Sequence, residues 1–213
     1  MKKIISIIGA GDLGVETVDI IRGNSLYKDA DLVFIDNRSP AGTNIYDIPV
    51  FHDIADIPNI EDTLIEGIVA FGSPKRRELV VGTIPEGTIS FAIIRDKSAE
   101  ISASATIGRG CILCNGVFVS SRASLGQHVI VNAKAVVGHD VVVGDFSTIQ
   151  PAAVLLGGVQ IGRGVEVGAG AIIHPRIKVG DGAKIGLGSV VIRDVPAGAT
   201  VAGNPARVFI APS

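Results

Sequence analysis

Two groupings in this 213-residue sequence have residue types and spacing suited to chemistry. The first is His139-Asp140: of His128, His139 and His174 in the second half of the chain, only His139 is followed directly by a carboxylate. An imidazole beside a carboxylate can act as a general base, because the carboxylate holds the ring and stabilises the proton it takes up. The second is Gly9-Ala10-Gly11-Asp12-Leu13-Gly14, a GxGxxG spacing with Asp36 lying 22 positions beyond Gly14. Between a strand and a helix, that spacing offers unpaired amides to a phosphate, and the acidic residue meets the hydroxyls of a sugar ring.

The elements around the glycines fit this use. Lys3 to Ile8 is an apolar strand, and Val15, Val18 and Ile21 follow at helical spacing. A second strand, Leu32 to Ile35, ends at Asp36, and a third, Gly67 to Phe71, runs into Gly72-Ser73-Pro74 and a basic helical start, Lys75, Arg76 and Arg77. Residues 1–95 therefore read as a βαβαβ half of a doubly wound sheet. A dinucleotide would normally need a second such half, and the pattern changes where that half should begin. A mononucleotide or nucleotide-sugar is preferred over NAD or over a turn that merely packs helix on sheet.

Around His139 a different rule holds. Every sixth residue from Ile101 to Val191 is Ile, Leu or Val, sixteen positions without exception, and half of them are followed at once by glycine. Small or β-branched residues such as Ala105, Cys111, Ala135 and Ala153 stand two positions earlier. The pattern predicts short strands joined by tight corners, the glycines supplying positive φ, with three strands per 18-residue triangular coil stacked at about 4.8 Å. On that period Ser121, His139, Gly157 and Pro175 share one column. Gly157-Gly158 then leaves bare backbone above the imidazole, with room for a thioester and amides near a developing oxyanion. Adjacent residues of an extended strand point to opposite faces, so Asp140 can serve His139 only if the corner after Gly138 is kinked.

Composition narrows the classes. Charged residues are 19 %, apolar residues 47 % and aromatics 4 %, with 27 glycines and no tryptophan, which describes a folded core of small aliphatic side chains. A net charge of −2 supplies no field for nucleic acid. No apolar run approaches the roughly 18 residues of a membrane span, and MKKIISIIGAGD is interrupted too early for a secretory leader, so a cytoplasmic protein is expected. Cys111 and Cys114 form one isolated CxxC and read as incidental thiols, with no metal site expected.

The six-residue period resembles the hexapeptide-repeat proteins, whose fold is a left-handed parallel β-helix; this implies such a domain over residues 96–213, with a carboxyl-terminal tail. Gly138-His139-Asp140-Val141-Val142-Val143-Gly144-Asp145-Phe146, Gly157-Gly158-Val159-Gln160-Ile161-Gly162 and Gly203-Asn204-Pro205-Ala206-Arg207 are similar to bacterial sugar acetyltransferases of the sialic acid O-acetyltransferase type. That family includes enzymes that N-acetylate UDP-4-amino-sugars for surface glycans, and the likeness spans essentially the whole chain. It implies an acetyl-CoA-dependent transferase working as a homotrimer, with donor sites shared between neighbouring prisms. His139 would be the general base and Asp140 its partner. Thr148, Gly157, Ala169 and Leu187 would lie along the coenzyme, and Gly11, Asp12, Leu13, Asp36, Asn37 and Arg77 against the nucleotide-sugar acceptor. Leu13 and Thr148 stand where relatives often carry histidine. A sialic acid O-acetyltransferase and a non-catalytic sugar-nucleotide-binding protein are the alternatives. A γ-type carbonic anhydrase does not fit, because its zinc histidines are closely spaced and His128 and His139 are eleven apart.

Overall fold

The computed structural model describes residues 2–40, 42–58 and 63–209. The amino-terminal part holds the strands β1 (Lys2–Ile8), β2 (Ala30–Ile35), β3 (Asn44–Ile45), β4 (Ile48–Phe51), β5 (Thr63–Val69) and β6 (Ser90–Phe91). They form one sheet in the order β3-β4-β2-β1-β5-β6, parallel except for the β3–β4 hairpin. Helix α1 (Asp12–Arg22) follows β1 and buries Val18, Ile20 and Ile21 on one face, with Asp12 and Arg22 at the ends that suit the helix dipole. Helix α2 (Pro74–Thr83) follows β5; the Ser73 hydroxyl caps it by accepting from the Arg76 amide, and Pro74 occupies the first helical position. The βαβαβ reading omits β4, and no α-helix joins β2 to β5 among the described residues. The hairpin and a 3-10 turn at Ile54–Asp56 occupy that link, where Pro40, Gly42 and Pro49 interrupt any helical run.

From Ile94 the chain winds into a triangular prism of two-residue parallel strands arranged in three sheets. All the six-step aliphatic residues from Leu113 to Val191 are buried in its core. Corner 1 comprises residues 103–104, 121–122, 139–140, 157–158 and 175–176; corner 2 comprises 109–110, 127–128, 145–146, 163–164 and 181–182; corner 3 comprises 97–98, 115–116, 133–134, 151–152, 169–170 and 187–188.

The glycines after the aliphatic residues do not supply the positive φ expected of them. Positive φ falls three residues after each aliphatic from Ile107 to Ile185, on the second corner residue, and is carried there by Arg122, His128, Lys134, Asp140, Phe146, Ala152 and Arg176 as well as by glycines. Gly144 and Gly168 are needed for another reason: a Cβ on either would lie 2.5–2.6 Å from backbone atoms of the coil above. Close stacking of coils selects those glycines.

The sheet between corners 2 and 3 carries the amino-terminal part. Its outward residues Ile94, Ile112 and Ile130 are fully buried in one cluster with Ile5, Ile20 and Phe34. Further along the same column Thr148 is still covered, and the cover ends at the outward residues Glu166 and Lys184. Among the described residues no helix is long and apolar enough to cross a membrane.

Candidate active site

At corner 1 the second residue turns left-handed, with φ of +58° at Asp140. This is the kink the sequence required, and it brings His139 Nδ1 to 2.7 Å from Asp140 Oδ2. A carboxylate only accepts, so Nδ1 carries the ring proton and the Nε2 lone pair is left outward. Nε2 lies over Gly157: a Cβ there would be 2.4 Å from it. Among the described residues the Gly157 N–H has no backbone acceptor, whereas the Gly158 N–H is used by the His139 carbonyl at 2.9 Å. The corner thus presents an oriented base and one unpaired amide beside a strip with no side chain.

Asp140 has a second partner absent from the sequence reading. Arg122 grips it in bidentate fashion, Nε to Oδ1 at 2.7 Å and NH2 to Oδ2 at 2.9 Å. Hydrogen bonds from Arg122 and then His139 hold the Asp140 carboxyl well below the usual carboxylate range. Arg122 stands 18 residues before Asp140, so the repeat that stacks His139 under Gly157 also predicts this contact.

The second grouping lies at the carboxyl ends of β1 and β2. Gly9 has φ of +107°, and a Cβ on Gly14 would sit 2.1 Å from the Gly9 carbonyl oxygen, so these two serve the turn and the helix packing. Gly11 differs: a Cβ there meets nothing within 4 Å. It begins α1 without a side-chain cap, leaving bare backbone open to an anion. The Asp36 carboxylate accepts from the amides of Ala10 at 2.9 Å and Arg38 at 2.8 Å, tying the glycine turn to the loop after β2. Burial pushes that carboxyl up, but the amides of Ala10, Arg38 and Ser39 outweigh it and hold it below its ordinary value. Asp12 and Asn37 are exposed at this edge, while the partly buried Leu13 packs against the interdomain cluster.

Two expected contacts are corrected. Arg77 is fully buried and cannot touch an acceptor. Its guanidinium donates to the carbonyls of Phe71 and Gly72 on one side and of His128, Phe146 and Ser147 on the other, bolting the loop after β5 to corner 2. Burial lowers its pKa to about 10. Thr148 is equally buried and cannot line a coenzyme groove: its hydroxyl donates to the Gly72 carbonyl at 2.9 Å and accepts from Arg77. The remaining coenzyme candidates divide between two edges of one sheet. Gly157 is at corner 1 with His139, and Ala169 and the exposed Leu187 stack at corner 3. Between these corners the outward residues Phe118, Val136, Val154, Ile172 and Val190 make an apolar stripe along the prism, with Leu156 and Ile192 beside it.

Both cysteines are buried free thiols, and burial pushes each up to about 12, far from thiolate chemistry. Among the described residues no group of three His, Cys, Asp or Glu could hold a metal ion.

No protein-family model and no curated protein sequence matches the chain. Solved structures do. The acetyltransferase domain of PglB from Neisseria gonorrhoeae, solved with acetyl coenzyme A, is 30 % identical with a TM-score of 0.86, the match covering 98 % of this chain and 99 % of that one. The chain belongs to the hexapeptide-repeat sugar N-acetyltransferases. WeeI from Acinetobacter baumannii is 29 % identical over 97 % of this chain and all of its own, with a TM-score of 0.89. A point variant of perosamine N-acetyltransferase from Caulobacter crescentus, in complex with CoA and GDP-perosamine, is 26 % identical over 97 % of each chain, with a TM-score of 0.87. These acetyltransferases share both parts of the molecule, and the prism is the left-handed β-helix of that family.

Proposed function

We propose that the protein transfers the acetyl group of acetyl-CoA to the amino group of a nucleotide-linked amino-deoxysugar. The observation that carries this reading is the corner-1 geometry: an imidazole held by a carboxylate at 2.7 Å, its other nitrogen facing a glycine. His139 Nε2 takes the proton from the acceptor amine as the nitrogen bonds to the thioester carbon. Asp140 holds the resulting imidazolium, the Gly157 N–H donates to the developing oxyanion, and coenzyme A departs. The fit of the coenzyme rests on the bare strip at Gly157 and on the apolar stripe leading to Ala169 and Leu187. The nucleotide belongs at the open Gly11 turn and Asp36, consistent with the GDP-perosamine that a related enzyme binds.

The working unit in this reading is a homotrimer. The nucleotide domain covers the sheet between corners 2 and 3, the side of the prism opposite corner 1 and His139. One chain cannot bring its own Asp36 edge and its own imidazole to one acceptor, whereas a neighbouring prism, packed along the apolar stripe, can lend its His139. Acetyl-CoA turnover followed by thiol release with UDP-, dTDP-, GDP- and CMP-linked amino sugars tests the activity. His139→Ala should lower kcat by about 10² to 10⁴. Acetylation of a free sialic acid as efficient as that of any nucleotide amino-sugar would replace the acceptor assignment. Light scattering should give the mass of a trimer, and inactive His139→Ala chains mixed with Asp36→Ala chains, assayed at acceptor concentrations below the raised KM of Asp36→Ala, should show more activity than the two chains assayed separately add up to.

A further inference from the structure

Asp140 does not act on His139 alone. Its Oδ2 accepts from both His139 Nδ1 and Arg122 NH2, and its Oδ1 accepts from Arg122 Nε. Arg122 is itself fixed at the corner: it sits at φ of +56°, and its backbone amide donates to Ser104 Oγ at 3.1 Å, one coil below. Three successive coils of corner 1 are thus linked as Ser104, Arg122 and Asp140. The charged groups around the ring are few. Asp140 lies beside it, Arg122 on the coil below, and Arg176 on the coil above Gly158, where a Cβ would stand 3.3 Å from Arg176 Cγ. No other acid faces the imidazole among the described residues of this corner.

We propose that Arg122 is a positioning residue for the acetyl transfer, fixing the Asp140 carboxylate in the one orientation that presents Oδ2 to His139 and offsetting part of the carboxylate's charge at the Nε2 side of the ring. The inference rests on His139 being the base. The fork geometry accounts for the first half: a bidentate guanidinium defines the plane of the carboxylate, which a single hydrogen bond from imidazole does not. Coulomb's law accounts for the second. A lone carboxylate 2.7 Å from the ring would favour imidazolium, and a protonated Nε2 cannot accept from an amine. The guanidinium, bonded to the same oxygen, cancels part of that attraction.

Arg122→Gln and Arg122→Lys test this. The Arg122 side chain is 65 % exposed, so both chains should fold, with melting temperatures near that of the parent. In Arg122→Gln the midpoint of the His139 ring titration, read by NMR on the protein without substrate, should rise by about half to one pH unit. The acid limb of the kcat profile should move with it, and kcat at its plateau should fall about tenfold with the KM for acetyl-CoA unchanged. Arg122→Lys should return the midpoint, which needs only charge, while leaving kcat low, because an ammonium does not reproduce the fork. An unmoved ring midpoint and unmoved kcat in Arg122→Gln would reduce the pair to a surface ion pair and overturn the proposal. If His139→Ala remains active while the ring midpoint still shifts in Arg122→Gln, the electrostatics stand and the role of His139 as base falls.

Discussion

Replacing Gly157 by alanine adds one methyl group at the point where the repeat leaves the imidazole uncovered. The backbone there needs no positive φ, so the substitution carries no conformational penalty of its own. The new Cβ would lie 2.4 Å from His139 Nε2 and 2.5 Å from Cε1. An ordinary contact of about 3.5 Å requires the ring to retreat by about 1 Å. That retreat breaks either the 2.7 Å bond to Asp140 or the alignment of Nε2 with the amine. A misplacement of about 1 Å at a reacting centre costs on the order of 100-fold in rate. Gly157→Ala should therefore lower kcat about 100-fold in a thiol-release assay while the melting temperature changes little, since the displaced ring is exposed. Gly158→Ala is the control. Its φ of +72° makes alanine cost about 1 kcal/mol or more of stability, but its Cβ points at Arg176 rather than at the imidazole. It should lower the melting temperature and retain most of kcat. A Gly157→Ala enzyme within threefold of the parent kcat would refute the placement of the reacting amine over this glycine.

Asp36→Ala should raise the KM for the acceptor about tenfold, close to 1.4 kcal/mol, and leave that for acetyl-CoA nearly unchanged, because it frees the Ala10 amide and slackens the glycine turn; weakened acetyl-CoA binding instead would contradict the division of ligands between the two domains. His128 makes the fold acid-labile: burial, then Arg77 and Arg109, lower its pKa to about 4. The unfolded chain takes up this proton near pH 6.5 and the folded chain resists it to about 4, so stability is full above 6.5 and falls by up to about 3 kcal/mol as pH drops towards 4. Denaturant titrations at pH 7 and pH 5 measure this, and a slope unchanged in His128→Gln would assign the lability elsewhere. Arg77→Leu removes the guanidinium shared by five backbone carbonyls at the domain junction, leaving those of Phe71, His128 and Phe146 without their donor while Gly72 keeps Thr148 and Ser147 keeps the Ile130 amide, and should cost more than about 3 kcal/mol, lowering the melting temperature by roughly 10 °C; a change below about 2 °C would show that water replaces the guanidinium without loss.

What the sequence reveals follows from which contacts are periodic. Steps of six residues place the prism core, and steps of 18 place Gly157 over His139 without any coordinates. The same step connects Arg122 with Asp140, in the column next to that of the histidine. Domain docking has no period, and so the burial of Arg77 and Thr148 was not legible from their types; only the family resemblance placed them against ligands. A signal was nonetheless present. Ile94, Ile112 and Ile130 repeat at 18 on the outward side of one sheet, where a solvated prism would carry polar residues, and they mark the covered face.

The two corner histidines show why position within a corner decides chemistry. His139 is the first residue of its turn and projects into the open, with a glycine above and a left-handed Asp140 folded back on its ring. His128 is the second residue of its turn. It lies under the nucleotide domain, stacked on Phe146 at 5.0 Å and edge-on to Phe91 at 4.5 Å, with its Nδ1 buried and unpartnered. Its backbone carbonyl, not its ring, is used, by Arg77. In an extended strand a histidine and the next residue diverge, so an adjacent His-Asp pair can cooperate only where the prism turns. Among the described corners the pair also needs a coil above that lacks a side chain and a face that no other domain covers. His139 meets all three conditions, and the corner that meets them lies on the side of the prism away from the nucleotide domain. In the proposed reading, that placement makes the amino-terminal part of a neighbouring chain, rather than of its own, the one that brings the acceptor to this pair.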